Sequence, residues 1–377
     1  MKRLSLLIKP ASSLCNMRCR YCFYADVGAH RALPSYGLMG GETARRIIDN
    51  TFKDLEGGDE LTFAFQGGEP ALAGLDWFKD FAAYTAEARE RRGDIQVHYA
   101  FQTNGLALDR GWAEFFRNNK VLVGLSLDGP RGFHDKNRLD AGGGGTWDAV
   151  MEAKGLLDRE QVDYNILCVL TNELAQESEK VWAFIQREKI RYIQFIPCLE
   201  GFGEEGEGLG GGRVRGPGLR PPRFARFYSR LFSLWLRELE RGRYVSVKLF
   251  DDTANYFFKG IPSSCGIDGR CSPQFVVEAD GGVYPCDFYV LDSYRTGNLS
   301  LQSPREIFDS PLTGAFLGEG QGEGTPCGTC TYRTLCRGGC KRMRKAMYYG
   351  PGGTFCGYGD FLDKCLDRLG EALRKYF

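Results

Sequence analysis

The chain predicts an α/β fold on parallel strands, with a cysteine-rich module at its C-terminal end. Three observations carry this. Short apolar, β-rich segments recur six times between residues 3 and 196. Longer segments with helical periodicity fill the gaps between them, and alternation of that length implies βαβ units and a parallel sheet. Past about residue 262 the texture turns cysteine-, glycine- and turn-rich, as in small modules that fold around metals. Periodicity alone does not separate an open or partial barrel of six units from a doubly wound sheet.

In chain order, strands are expected at LSLLI (4–8), LTFAFQ (61–66), VHYAFQ (97–102), VLVGLSL (121–127), YNILCVL (164–170) and YIQFI (192–196). Helices are expected at 43–55, 77–92, 111–119, 147–160 and 177–188, with the glycines at 57 and 58 ending the first. GFGEEGEGLGGGRVRGPGLRPP (201–222) is too poor in apolar residues to bury a core and reads as a flexible loop or linker. An amphipathic helix at 224–242, ending at Gly242, and a terminal helix at 360–377 complete the pattern. The expected organisation is a strand–helix domain over 1–200, the glycine-rich stretch over 201–222, a helical connection over 223–262 and the cysteine-rich domain over 263–377.

Composition excludes several classes. The net charge of +1 gives no argument for a nucleic acid or an anionic membrane as partner. No apolar run approaches the roughly 20 residues that span a bilayer, and Lys9 and Pro10 cut the N-terminal apolar stretch short of a signal sequence. A cytoplasmic home is the simplest reading. Fourteen cysteines in a reduced compartment point to metal ligation rather than disulfides. With only three histidines in the chain, sulfur-only ligation by iron–sulfur clusters or zinc is expected.

The cysteines are clustered. SLCNMRCRYCFY places Cys15, Cys19 and Cys22 in the first strand-to-helix loop, on the face that carries the active site in parallel barrels. Three thiolates without a fourth leave one metal corner open, whereas a structural zinc knuckle would have to borrow a distant ligand. Other candidates sit at neighbouring strand ends. Gln66-Gly67-Gly68-Glu69-Pro70 ends the second strand, where the glycines let backbone approach a ligand and the carboxylate can accept from an ammonium. Gln102-Thr103-Asn104-Gly105 and Ser126-Leu127-Asp128-Gly129-Pro130 end the third and fourth; turn chemistry alone could explain either. Arg138 offers a guanidinium fork suited to a carboxylate. Nine further cysteines lie between Cys265 and Cys365, and the run Cys327, Cys330, Cys336, Cys340 could by itself pass for a zinc ribbon. Cys168 and Cys198 read as buried packing residues, and Cys365 as spare.

The C-x3-C-x2-C spacing, with Tyr21 just before the third cysteine, resembles the radical S-adenosylmethionine superfamily. The resemblance implies a partial (β/α)6 barrel over 1–200 and a 4Fe-4S cluster on Cys15, Cys19 and Cys22. Its open iron would take the amino and carboxylate groups of S-adenosylmethionine and generate a 5′-deoxyadenosyl radical. Gly67, Gly68 and Glu69 match the family motif that holds the methionine amino group. Gln66, Ser126, Arg138 and Tyr24 would be further cofactor contacts. The C-terminal cysteines resemble the SPASM extension, which implies two auxiliary 4Fe-4S clusters. Cys265, Cys271, Cys286 and Cys340 would hold the inner cluster, and Cys327, Cys330, Cys336 and Cys356 the outer.

Longer stretches, among them TFAFQGGEPALAGL, YIQFIPCLE and QFVVEADGGVYPCDFYVLD, resemble anaerobic sulfatase-maturating enzymes over nearly the whole chain. Only the glycine-rich stretch departs from that family. The implied reaction converts a cysteine or serine of a sulfatase to Cα-formylglycine, with hydrogen abstraction at Cβ and an electron passed toward an auxiliary cluster. Asp287, in the family's PCD context, would be the general base. Implied partners are a nascent or unfolded sulfatase with a Cys- or Ser-x-Pro-x-Arg core and a flavodoxin- or ferredoxin-type electron donor. A maturase of another ribosomally made peptide, forming a thioether or other crosslink, is the alternative. The cysteine motif at residue 15 leaves no room before it for the leader-binding domain such enzymes often carry.

Overall fold

The computed structural model describes residues 2–202, 218–319, 325–350 and 352–374. Six parallel strands run side by side in sequence order: β1 (Arg3–Ile8), β2 (Glu60–Phe65), β3 (Gln96–Thr103), β4 (Leu122–Ser126), β5 (Tyr164–Leu170) and β6 (Tyr192–Pro197). Each matches its expected segment to within a residue or two. The register pairs Ile8 with Phe65, Thr103 with Leu125, Ser126 with Leu167 and Leu170 with Pro197. All six carboxyl ends therefore share one edge. Among the described residues β1 and β6 do not pair, so the curved sheet is a partial barrel.

The pleat sorts the side chains. Leu61, Phe63 and Phe65 on β2 turn outward under the helices and are almost fully buried. There they meet Phe78 and Phe81 of α3 (Leu75–Glu90) edge-on, at ring distances of 5.0–5.2 Å. Each such aromatic contributes roughly 1.5–3 kcal/mol by leaving water. Alternate residues face the barrel interior: Leu7, Gln102, Ser126, Leu167, Val169, Gln194 and Ile196 line a cavity.

The outer helices are α2 (Gly41–Lys53), α3, α4 (Arg110–Asn118), α6 (Trp147–Arg159) and α7 (Ser178–Arg187). The first ends at Lys53 with Asp54 as C-cap, so the glycines at 57 and 58 lie in the following turn and do not cap it. Two short helices carried no sequence signal: α1 (Phe23–Ala29), directly after the third cysteine, and α5 (Arg131–Asn137). The glycine-rich expectation at 201–222 falls, for residues 203–217, outside the described residues. Beyond it, α8 (Pro221–Glu240) buries Tyr228, Phe232 and Trp235 against Phe250 of α9 (Lys248–Lys259), Tyr228 also against Phe361 of the terminal helix Gly357–Leu373, and Phe227 against Phe195 of β6.

The cysteine-rich part is joined to the barrel through backbone. β8 (Val276–Val277) pairs in parallel with β1, and β9 (Gly282–Tyr284) and β10 (Gly297–Asn298) extend the sheet antiparallel beyond it, while β7 (Ser246–Val247) lies at the other end. This pairing brings residue 287 alongside residue 9.

Candidate active site

Every element of the site hangs on the carboxyl edge of the sheet. The β1–α1 loop carries Cys15 and Cys19, and Cys22 is the N-cap of α1. The loop is clamped at its C-terminal half, where the Arg18 and Arg20 amides donate to the Leu139 and Asn137 carbonyls. At its N-terminal half the Gly68 and Glu69 amides donate to Ser12 O and Leu14 O at 2.8 and 2.7 Å. Glycine is required here. A Cβ on Gly68 would stand 1.9 Å from the Leu14 carbonyl oxygen, and Gly67 adopts φ +125° with Ser12 O 2.8 Å from any added Cβ.

Glu69 is buried, and its carboxylate already accepts from Thr103 Oγ1 (2.8 Å), the Asn104 amide (2.7 Å) and the Ala71 amide (3.1 Å). Burial pushes its pKa up to about 7, against those three donors. The carboxylate thus ties the ends of β2 and β3 together, and Glu69 lines the cavity beside the Gly67–Gly68 backbone. Asn104 donates its side-chain amide toward Cys15 Sγ at 3.7 Å and to Asn16 Oδ1 at 2.7 Å.

Burial pushes the Cys15 thiol up to about 11 and the Cys19 thiol up to about 12. Such thiols ionise readily only when a cation takes their protons' place. Among the described residues no three His, Cys, Asp or Glu side chains converge as they would around a single ion. A 4Fe-4S cluster instead spreads its thiolates over separate irons.

The cavity, about 520 Å³, is continuous. It is lined at one end by Cys15, Cys19, Cys22, Tyr24, Gln66, Gly67, Gly68, Glu69, Ser126 and Arg138, and at the other by Cys265, Cys286, Cys340 and Asp287. A larger groove of about 680 Å³ between α7, α8 and the terminal helix is lined by none of the cysteines. Arg138 is buried and paired with Asp128 at 3.1 Å, yet its Nε has no partner. A buried, unsatisfied guanidinium nitrogen in the wall of this cavity suits an anionic group of a bound cofactor. The cavity therefore fits S-adenosylmethionine beside a cluster on the three cysteines.

At the far end Asp287 opens a short helical turn after Cys286. Its Oδ2 accepts from the Tyr24 hydroxyl at 2.7 Å. Its Oδ1 stands 3.2 Å from Lys9 Nζ, too poorly aligned for a hydrogen bond, so this buried oxygen keeps its lone pairs. Lys9 is 2% exposed and also lies 4.5 Å over the Tyr24 ring. Burial, then the Asp287 charge, hold the Tyr24 hydroxyl well above its ordinary pKa, so it stays a donor. Lys9 escaped the sequence reading, which used it only to end an apolar stretch. The available signal was a charged residue immediately following the buried end of a strand.

The remaining thiols fall into two neighbourhoods by mutual influence. Cys265 feels Cys340 and Cys271, and Cys286 feels Cys340 and Cys265. Cys336 feels Cys356, Cys330 and Cys327. Cys168 is fully buried and Cys198 nearly so, although Cys198 also lines the cavity. Cys365 is 2% exposed and packs in the core under the terminal helix.

Comparison with known proteins agrees with this geometry. Residues 10–181 match the radical SAM superfamily model, and residues 265–331 match SPASM, an iron–sulfur cluster-binding domain. The chain is 39% identical over 374 residues to the cysteine-type anaerobic sulfatase-maturating enzyme of Clostridium novyi (strain NT), covering 98% of this chain and 97% of that protein. It is 30% identical to the serine-type anaerobic sulfatase-maturating enzyme of Klebsiella pneumoniae, over 89% and 81% of the two chains. The solved structure of native anSMEcpe with bound AdoMet and Cp18Cys peptide superposes with a TM-score of 0.87 at 36% identity, covering 100% of both chains.

Proposed function

Because this chain belongs to the anaerobic sulfatase-maturating enzymes of the radical S-adenosylmethionine superfamily, we propose that it oxidises a cysteine or serine of a sulfatase polypeptide to Cα-formylglycine. The greater identity to the cysteine-type relative favours cysteine as the target. One observation carries the reading: a single cavity joins the three-cysteine loop to a buried carboxylate with one oxygen that accepts no hydrogen bond.

Cys15, Cys19 and Cys22 would hold the 4Fe-4S cluster that binds S-adenosylmethionine, with Cys265, Cys271, Cys286 and Cys340 holding the inner auxiliary cluster and Cys327, Cys330, Cys336 and Cys356 the outer. When bound, these groups supply hydrogen-atom abstraction and a one-electron sink. The chain's own residues do the rest. Arg138, whose Nε has no partner in the protein, would receive the cofactor carboxylate. The Gly67–Gly68 backbone, with Gln66 and Ser126, shapes the wall around it. Asp287 Oδ1 takes the proton of the target thiol, since Tyr24 occupies Oδ2, and the Lys9 ammonium 3.2 Å from Oδ1 holds the carboxylate in place. The target thus gives up one hydrogen atom, one proton and one electron to become a thioaldehyde. Water then converts it to the aldehyde with release of hydrogen sulfide.

The sulfatase substrate is proposed to present a Cys- or Ser-x-Pro-x-Arg core, and a flavodoxin- or ferredoxin-type protein to donate electrons. Among the described residues no helix is long and apolar enough to cross a membrane. A cytoplasmic setting is proposed because clustered cysteines suit metal ligation in a reduced compartment. The test is anaerobic reconstitution with iron and sulfide, then incubation with reductant, S-adenosylmethionine and peptides carrying either core. Mass spectrometry should find the aldehyde together with 5′-deoxyadenosine. Deoxyadenosine with both peptides intact would refute the substrate assignment and favour another peptide maturase.

A further inference from the structure

We propose that Asp128 is a positioning residue that aims Arg138 at the carboxylate of S-adenosylmethionine; this rests on the reading of the cavity given above. Asp128 follows β4 and is 2% exposed. Its Oδ1 accepts from Arg138 (3.1 Å) and from the Val169 amide (2.9 Å), and its Oδ2 from the Tyr21 hydroxyl. Tyr21 lies between two cluster cysteines, and the Arg138 guanidinium sits 5.6 Å over its ring. One carboxylate therefore sets both the cysteine loop and the arginine.

A relay fixes the other end of Arg138. The Asp128 amide donates to His134 Nδ1 at 3.2 Å. His134 Nε2 lies 3.0 Å from Thr146 Oγ1, and the Thr146 hydroxyl donates to the Arg138 carbonyl at 2.9 Å. Because the threonine proton is spent on that carbonyl, His134 must donate through Nε2–H, which is the tautomer its Nδ1 contact also requires. The chain Asp128–His134–Thr146–Arg138 closes on itself through the Asp128–Arg138 pair. It holds the arginine by backbone and by one edge of its fork, and leaves Nε buried and unpartnered in a side chain that lines the cavity. Asp128 touches no cofactor atom in this scheme; it acts through Arg138.

Charge and position predict opposite signs. As a mere counter-charge, Asp128 competes with an incoming carboxylate, so its removal would tighten cofactor binding. As a positioning residue, its removal lets the arginine swing and weakens binding. The test uses anaerobically reconstituted protein and equilibrium binding of two probes, S-adenosylmethionine and decarboxylated S-adenosylmethionine. Asp128→Ala should weaken S-adenosylmethionine about ten- to hundredfold, the scale of one charge-assisted contact, while the decarboxylated probe changes little. Asp128→Asn keeps an acceptor for Arg138 and should restore most of the difference.

Equal weakening of both probes, tighter binding of S-adenosylmethionine, or identical behaviour of the two variants would overturn the proposal. Should Asp128→Ala fail to retain its clusters, Thr146→Val breaks the relay without touching either charged side chain. It should lower S-adenosylmethionine affinity several-fold with the decarboxylated probe unaffected; no selective loss would overturn the proposal equally. Unsubstituted protein that binds neither probe would instead sink the cofactor reading itself.

Discussion

Substituting Asp287→Asn separates proton removal from every other step of the proposed reaction. The asparagine keeps the shape of a side chain that is 11% exposed. Its amide oxygen can still accept from Tyr24, now 2.7 Å from Oδ2. That orientation sets the new NH2 against Lys9 Nζ, now 3.2 Å from Oδ1. Flipping the amide relieves that contact and returns an oxygen to the Oδ1 position, but an amide oxygen does not take a thiol proton. In neither orientation does a basic atom remain at the substrate. A positioned general base contributes about 10²–10⁴-fold, or roughly 3–5 kcal/mol of barrier. Nothing at the Cys15–Cys19–Cys22 end of the cavity changes, so hydrogen abstraction should continue. The assay is the ratio of aldehyde to 5′-deoxyadenosine in one anaerobic incubation. Deoxyadenosine should stay within a few-fold of the unsubstituted enzyme while aldehyde falls by about two orders of magnitude or more. If both products fell in proportion, Asp287 would be needed to seat the substrate and not to deprotonate it. If aldehyde were unchanged, Asp287 would only start its helical turn.

Other outcomes follow from neighbouring contacts. Lys9→Met should destabilise the protein by about 3 kcal/mol, because it leaves Asp287 charged, buried and unpaired; Lys9→Met with Asp287→Asn should recover most of this, and additive urea midpoints would contradict the pairing. Gly68→Ala drives a Cβ into the Leu14 carbonyl, so the N-terminal cluster signal in electron paramagnetic resonance should be lost while iron bound by the C-terminal cysteines persists. Cys265→Ala and Cys330→Ala should each lower iron per chain by about a third, if three four-iron clusters are present, without abolishing S-adenosylmethionine binding. Burial, then the Arg138 charge, lowers His134 to about 4 from 6.5. The unfolded chain therefore binds the extra proton first as pH falls, and stability should drop between pH 6.5 and about 4 by roughly 3 kcal/mol. Urea unfolding against pH checks this, and His134→Gln should flatten that window.

Legibility of the site from sequence depended on how far apart in the chain its parts lie. The cysteine loop and the glycine pair were readable because each is a local device. Three thiols within eight residues cannot avoid one another, and a Gly-Gly after a strand announces a close approach that the Leu14 carbonyl then makes concrete. Glu69 was half legible: its type and place were, but not that Thr103 and Asn104 of the next strand end already donate to its two oxygens. The Lys9–Tyr24–Asp287 group was not legible as a group. Its members come from the end of β1, the start of α1 and a segment more than 250 residues downstream, and they meet only because a two-residue strand, β8, pairs with β1. Two residues hold too little alternation to signal a strand. The same limit hid the relay behind Arg138. His134 lies on a helix of seven residues and Thr146 at the N-cap of the next, so neither shows a periodic face. Local chemistry is written locally, whereas the groups that set protonation and aim are assembled by strand register. The Asp287 carboxylate owes its contact with Lys9 to that register, since a one-residue slip of β8 would turn its side chains to the opposite face and shift the chain that leads to Asp287 away from Lys9.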